Sequence, residues 1–189
     1  MMTPGFANPV LGAQSSFRAM LDALSHPGRI LELPDATEAP APLCPAMGAL
    51  ALALCDADTP LWHDGEAVLG AWLRFHTGAP LVAAGEARFL LASGRPPALA
   101  GLALGSDEVP QDGATLFLRV AALAAAPGWR LTGPGIQSAT ALHVTGAPEG
   151  FVAERAALAG LFPRGLDIIL CAGRHIAGLP RTTTIREHG

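Results

Sequence analysis

The stretch "GLDIILCAGRHIAGLP" (165–180) constrains the fold more than any other part of the chain. Its first half is apolar at nearly every position, and a strand that is apolar on both sides lies in a sheet with both faces covered. The pair Gly173-Arg174 then predicts a tight turn into a second strand, which makes an antiparallel hairpin. The fold therefore contains a sheet buried between two layers, and that sheet is not wholly parallel.

Helical and strand patterns alternate along the rest of the chain. Helices are predicted over 15–25, 46–56, 65–75 and 150–162, and strands over 29–33, 86–92, 114–123 and 141–146. The segment 57–62 is predicted as a short turn and strand, and 129–136 as a strand followed by a glycine-proline turn. Apolar stripes define the inner faces: Phe17, Met20, Leu21 and Leu24 in the first helix, and Val68, Leu69, Trp72 and Leu73 in the third. Ser15 or Ser16 is the predicted cap of the first helix, and 93–113 is the predicted mobile loop. These patterns predict a single α/β domain that spans residues 1–189. Its predicted architecture is a three-layer α/β/α arrangement with a mixed sheet.

The lysine and arginine content, twelve residues in all, excludes several kinds of chemistry. All twelve are arginine, so the chain has no lysine for a Schiff base, for an internal aldimine of pyridoxal phosphate, or for a P-loop. The formal net charge of −4 gives no general attraction to nucleic acid. Half of the residues are hydrophobic and only 15% are charged, so either the core is unusually well covered or part of the surface packs against protein partners. No apolar run reaches membrane-span length and the N-terminal pattern is unlike a signal peptide, so a cytoplasmic location is predicted.

The three cysteines are predicted to be buried free thiols. Cys44, Cys55 and Cys171 are widely spaced, and none of their spacings is typical of a metal or redox site. Cys171 and His175 raise the hypothesis of a nucleophile–base pair in a free-standing hydrolase. Alternation places Cys171 inside an apolar strand, where a thiol has a raised pKa and is inert. The residues alone therefore predict no catalytic constellation and no metal site.

Two segments carry side chains suited to an anion. Arg74, His76 and Thr77 leave the end of the third predicted helix together, and their alternative role is to terminate that helix. Arg181, Thr182 and Thr183 follow the hairpin, with no acidic residue in their immediate sequence; their alternative is a solvated tail. Both segments are candidates for binding a phosphate or a partner's carboxylate.

Two further motifs give weaker signals. The turn "LTGPGI" holds Gly133 and Gly135, whose backbone N–H groups can cradle an anion. The turn "CDADTPLW" places Asp56 and Asp58 beside Thr59, where carboxylates can hold a metal or orient an arginine, although a plain turn is favoured.

Six segments occur in an order that resembles one known family. They are "SFRAMLDALSHPGRI", "ADTPLW", "LRFHTGAPLV", "GATLFLRV", "WRLTGPGI" and "FPRGLDIILCAGRHIAGLPRTT". Together they resemble the PhnH family, a component of the bacterial carbon–phosphorus lyase system, over about residues 6–184. The family-like positions are Arg74, His76, Thr77, Gly133, Gly135, Pro180, Arg181, Thr182 and Thr183, and the resemblance transfers no catalytic role to any of them.

The resemblance implies a fold similar to that of pyridoxal-phosphate-dependent transferases, without the cofactor. It implies a homodimer in isolation and a core complex with the G, I and J subunits that degrades alkylphosphonates. It further implies that the protein, together with the G, I and L subunits, supports the displacement of adenine from ATP by the phosphonate. The product of that displacement is a ribose 1-phosphonate 5-triphosphate.

Two hypotheses about function follow. In the first, the chain is an accessory or structural subunit of that complex. In the second, it binds ATP or the alkylphosphonate itself through Arg74, His76 and Arg181, which requires these three side chains to share one cleft.

Overall fold

The computed structural model describes residues 3–35 and 37–187. Within them, α-helices span Pro9–Ser25 (α1), Pro45–Leu54 (α2), Ala67–Thr77 (α3) and Phe151–Ala157 (α4). Strands span Ile30–Glu32 (β1), Leu61–His63 (β2), Phe89–Ala92 (β3), Thr115–Arg119 (β4), Ala122–Thr132 (β5), Thr140–Thr145 (β6), Asp167–Ala172 (β7), His175–Leu179 (β8) and Thr184–Glu187 (β9). None of the helices in these residues is long and apolar enough to cross a membrane.

The main sheet has six strands in the order β1-β8-β7-β4-β3-β2. Strands β2, β3, β4 and β7 are parallel to one another, whereas β8 is antiparallel to both β7 and β1. Strands β7 and β8 are joined at Gly173-Arg174, with Ala172 opposite His175. The predicted mixed sheet and the predicted hairpin are therefore confirmed.

The two faces of the main sheet are covered by different layers. Helices α1, α2 and α3 pack on one face, where Phe117, Ile169 and Cys171 contribute to the core. The alternate residues Leu116, Ile168 and Leu170 are buried on the other face, among residues of α4 and of a second sheet. That sheet has three antiparallel strands in the order β6-β5-β9. The predicted three layers are present, but one outer layer is mostly β-sheet, so the α/β/α arrangement is only partly correct.

Helix α1 differs from its prediction in its start and in its inner face. It begins at Pro9, because the Asn8 side chain accepts a hydrogen bond of 3.1 Å from the Leu11 N–H and caps the helix in place of Ser15 or Ser16. Its buried residues are Gly12, Ser16, Met20 and Ala23, whereas Phe17 and Leu21 of the predicted stripe are 44% and 46% exposed.

Close packing of α1 on β8 explains this inversion. A Cβ atom on Gly178 of β8 would lie only 2.4 Å from the carbonyl oxygen of Ala23. Small residues therefore accompany Met20 on the inner side of α1, and Phe17 and Leu21 lie on the outer side. Helix α3 departs less from its predicted inner face. Leu69, Trp72 and Leu73 are buried as predicted, but Val68 is 69% exposed.

The chain crosses between the two sheets within a predicted strand. The segment 114–123 is not one strand, because β4 ends at Arg119 and β5 begins at Ala122 in the other sheet. The strand predicted at the start of 129–136 is the second half of β5, which ends at Thr132, and the predicted turn follows it. The predicted helix over 150–162 is shorter, since α4 ends at Ala157 and a 3₁₀ turn follows.

The segment after β8 is a strand rather than a tail. Thr184–Glu187 pairs antiparallel with Trp129–Thr132 of β5, so the prediction of a solvated tail is wrong. The predicted loop at 93–113 holds two 3₁₀ turns and buries Leu99 and Leu102; its mobility stays a prediction.

Candidate functional site

The polar groups at the end of α3 are satisfied by their own chain. The His76 ring donates from Nε2 to the Thr3 carbonyl oxygen at 3.1 Å, and the Trp72 indole donates to the same oxygen at 2.9 Å. The Thr77 hydroxyl donates to the Leu73 carbonyl oxygen at 2.7 Å and accepts from the Ala79 N–H at 3.0 Å. Of the predicted set at this site, only the exposed Arg74 keeps its charged group at the surface.

Gly78 completes the end of this helix. Its φ of +72° is left-handed, and its N–H donates to the Arg74 carbonyl oxygen. His76 and Thr77 therefore terminate α3 and tether the N-terminal segment, which is the alternative that the sequence left open.

Arg181 has a carboxylate partner. Its Nη2 donates to Asp167 Oδ2 at 2.7 Å, its Nε to Oδ1 at 3.3 Å, and its backbone N–H to Oδ1 at 2.8 Å. Asp167 is the first residue of β7, and the hairpin brings it beside the residues that follow β8. The apparent lack of an acid near Arg181 is thus a feature of the sequence only, and Asp167 occupies the fork of its guanidinium.

Arg155 is a buried arginine that the sequence patterns did not bring forward as a candidate. It lies on α4 and is 7% exposed. Its guanidinium donates to the carbonyl oxygens of Leu166 and Thr183, each at 3.3 Å, and to that of Pro180. Burial lowers the pKa of Arg155 to about 10.

The helical spacing in the sequence does carry a signal for Arg155. Phe151, Arg155 and Leu158 fall at i, i+4 and i+7, and all three are buried. A charged residue on the apolar stripe of an amphipathic helix is unusual, and its burial requires partners in the fold.

Arg155 and Arg181 line one cavity, the α4–β9 cleft. It has a volume of about 350 Å³, and its polar lining consists of Arg155, Arg164, Arg181, Thr182, Thr183 and Thr184. The apolar part of the lining comes mainly from α4, Phe162 and Ile185. Among the described residues, no aspartate or glutamate lines this cleft.

A second cleft lies on the other side of Arg181. It measures about 480 Å³ and is more open; its lining includes Arg88, Gln111, Asp167, Phe162 and Arg181. It lies at the amino ends of β3, β4 and β7, since Phe89, Thr115 and Asp167 begin those strands. Ligands of α/β sheets usually bind at the opposite, carboxyl ends.

The six predicted anion-binding residues fall into two separate groups. Arg181, Thr182 and Thr183 all line the α4–β9 cleft. Arg74, His76 and Thr77 belong to α3, whose buried side chains pack on the opposite face of the main sheet. Anion binding by either group stays a prediction, but Arg74, His76 and Arg181 do not share a cleft.

Cys171 and His175 do not form a nucleophile–base pair. Cys171 lies opposite Ile176 in the hairpin and is fully buried in the helical layer. His175 lies opposite Ala172, whose side chain is buried on the other face. Burial, together with a hydrogen bond to Cys44, raises the pKa of the Cys171 thiol. All three cysteines are free and buried, as predicted.

Cys44 differs from the other two thiols in its environment. It precedes the first turn of α2, and a hydrogen bond with Cys171 lowers its pKa to about 7. Burial opposes this shift, while backbone N–H groups of α2 and the charge of Arg119 add to it. Burial raises the pKa of Cys55 to about 12.

The two weaker motifs serve local structure. A Cβ on Gly135 would lie 2.3 Å from the Ser25 carbonyl oxygen, and one on Gly133 would lie 2.7 Å from that of Thr182, so both glycines permit close backbone packing. The Asp56 carboxylate accepts from the Thr59 hydroxyl at 2.6 Å and from the Asp58 N–H at 3.0 Å, which closes a turn. Within residues 3–35 and 37–187, no three His, Cys, Asp or Glu side chains are grouped to hold a metal ion.

Comparison with known proteins gives consistent matches over nearly the whole chain. The family model described as "Bacterial phosphonate metabolism protein (PhnH)" matches residues 4–186. The alpha-D-ribose 1-methylphosphonate 5-triphosphate synthase subunit PhnH of Rhizobium meliloti (strain 1021) is 39% identical over 188 residues, covering 96% of this chain and 94% of that protein. The putative C-P lyase subunit protein HtxG of Stutzerimonas stutzeri is 37% identical over 176 residues, covering 93% and 87%.

Proposed function

Because this chain belongs to the PhnH family of bacterial phosphonate metabolism proteins, we propose that it is an accessory subunit of a carbon–phosphorus lyase complex. In that role it supports the displacement of adenine from ATP by an alkylphosphonate, which gives a ribose 1-phosphonate 5-triphosphate. The name of the Rhizobium relative supports this reaction, and the name of the Stutzerimonas relative supports membership in such a complex.

Exposed apolar side chains on two helices carry the proposal of an accessory subunit. On α1, Val10, Phe17 and Leu21 recur at i, i+7 and i+11 and are 76%, 44% and 46% exposed. On α3, Val68 and Phe75 are 69% and 71% exposed, again seven residues apart. Helices α1 and α3 both pack against α2, in which residues 46–51 are all buried. Exposed apolar surface of this kind marks protein–protein contact.

The partners in this proposal are the other subunits of the complex, G, I and J. A second copy of this chain is an additional occupant, in keeping with the homodimer that the resemblance implies. Size-exclusion chromatography of the chain alone separates the two cases, because only self-association gives a dimer without other subunits.

Co-expression with the G, I and J subunits tests the proposal directly. The chain is expected to co-elute with them, and the double variant Phe17→Glu/Phe75→Glu is expected to elute apart, because a buried carboxylate in an apolar contact is costly. Arg18→Glu is the matched control, since it changes the charge at an exposed position of α1 outside the stripe. A wild-type chain that elutes alone, and whose deletion leaves growth on methylphosphonate unchanged, contradicts the proposal.

The alternative in which Arg74, His76 and Arg181 jointly bind ATP or the phosphonate lacks geometric support. His76 is engaged with Thr3, Arg181 is engaged with Asp167, and Arg74 lies on the helical face of the sheet.

A further inference from the structure

The α4–β9 cleft contains a buried positive charge that the described residues do not neutralise. Arg155 has no carboxylate within ion-pair distance in residues 3–35 and 37–187, and its three protein partners are carbonyl oxygens. The nearby carboxylate, Asp167, is already taken up by Arg181. Asp167 thus lies near two guanidinium groups but pairs only with that of Arg181. Burial of an uncompensated charge is costly, so an anion at this place would be stabilised strongly.

Arg164 Nε has no hydrogen-bond partner among the described residues, and neither do two polar atoms of the more deeply buried cleft residues. They are Arg155 Nε and Thr183 Oγ1, and both residues are more than nine-tenths buried. Buried polar groups are almost always paired, because an unpaired one loses its hydration without compensation. Both belong to residues that line the cleft, so its lining carries buried hydrogen-bonding capacity that the described residues leave unused.

The rest of the lining suits an oxyanion. Three arginines and three threonines contribute all of its polar side chains. Arg164 is paired only with Asp107, at 3.2 Å, and Asp107 is 70% exposed, so this pair is weak and easily exchanged. Arginine forks and hydroxyl groups are the usual ligands of phosphate groups, and the volume of about 350 Å³ is within the range of small-ligand sites.

We propose that the α4–β9 cleft binds a tetrahedral phosphorus oxyanion, the group that ATP phosphates and alkylphosphonates share. Arg155 supplies the charge at the buried end, Thr183 a hydroxyl beside it, and Arg164 a guanidinium at the open side. The choice of a phosphorus oxyanion over other anions rests on the proposed function; the existence of an anion site rests on the cleft alone.

Calorimetric titration of the full chain with inorganic phosphate, methylphosphonate and ATP tests this proposal. Saturable binding of at least one probe is expected, and the strongest probe identifies the source of the oxyanion. Arg164→Gln is expected to weaken binding about 10- to 100-fold, the usual effect of losing a hydrogen bond to a charged group. Arg74→Gln is the matched control, because this exposed arginine of α3 lies outside the cleft, and its binding is expected to equal that of wild type.

Thr183→Val separates a ligand-binding hydroxyl from a structural one. The substitution keeps the shape of the side chain and removes the unpaired hydroxyl. We expect the melting temperature without ligand to be unchanged or higher, while affinity falls about 10-fold. A fall in melting temperature with unchanged affinity would show that the hydroxyl is structural and would overturn its role here.

The outcomes distinguish this proposal from the proposed function. Absence of binding by all three probes, or equal binding by wild type and Arg164→Gln, overturns the cleft proposal even when the chain assembles with the G, I and J subunits. Binding that depends on Arg164 and Thr183 supports it even when the chain fails to assemble. The two experiments have separate readouts, calorimetric heat and co-elution.

Discussion

The end of α3 and the α4–β9 cleft have similar residues but opposite hydrogen-bonding states. Each combines arginine and threonine, and each is a candidate anion site by composition. At the end of α3 the Thr77 hydroxyl both donates and accepts, and the His76 ring reaches a backbone carbonyl. In the cleft the Thr183 hydroxyl and the Arg155 Nε have no partner among the described residues.

The difference shows that residue type does not identify a binding site. A helix end consumes the same hydroxyl and ring donors that a ligand would need, because its last carbonyl groups require partners. The cleft has donors left over, since the nearby carboxylate, Asp167, pairs with Arg181 and not with Arg155. The hydrogen-bond partners of each donor therefore distinguish a ligand-binding site from a helix end better than the sequence motif does.

The largest loss of stability is expected when the carboxylate of Asp167 is removed. Asp167→Ala leaves Arg181 and Arg155, both mostly buried, without their nearest acid, so the free energy of unfolding is expected to fall by about 3 kcal/mol. Urea denaturation measures the loss. Asp167→Asn is the control, because it keeps an oxygen acceptor for the Arg181 N–H, and its loss is expected to be smaller. A loss below about 1 kcal/mol for the alanine variant would mean that the ion pair of Asp167 with Arg181 does not stabilise the fold.

A smaller effect of defined sign is expected at the end of α3. Thr77→Val removes the donor to Leu73 and leaves the Ala79 N–H without its acceptor, so we expect unfolding to become easier by about 1–2 kcal/mol. Thr77→Ser keeps the hydroxyl and serves as the control. The matched substitution Thr183→Val is expected to be neutral or stabilising. Equal losses for the two valine variants would erase the contrast between the two regions.

The smallest effect is expected for Arg74. Its side chain is exposed, so the change in unfolding free energy for Arg74→Gln should lie within about 0.5 kcal/mol. Thermal unfolding of this variant beside wild type checks the expectation. A loss above about 1 kcal/mol would indicate a contact of Arg74 at the end of α3 that stabilises the fold.

Local patterns in the sequence predicted the centre of the fold correctly. Alternation in 167–172 assigns Ile169 and Cys171 to one face and Ile168 and Leu170 to the other, as observed. The Gly173-Arg174 turn was predicted because a hairpin is a short-range feature. These features depend on residues close together in the chain, which is why the sequence alone suffices for them.

The features that the sequence did not predict depend on distant contacts. The partner of Arg181 is Asp167, fourteen residues earlier, and only the hairpin brings the two together. The inner face of α1 is set by the approach of its backbone to Gly178, so Phe17 and Leu21 of the predicted apolar stripe are not buried. The short β9 has little pattern of its own and exists because β5 offers an edge.

The pairing of β1 with β8 has a consequence for the rate of folding. Ile30 lies opposite Ala177, so the edge of the main sheet closes only when segments near the two ends of the described chain meet. Folding rates of single domains fall as contacts become more distant in sequence, and we expect this chain to fold slowly for its size. Until β1 and β8 meet, strands that are apolar on both faces remain open to aggregation. Synthesis at low temperature is therefore expected to raise the yield of folded protein.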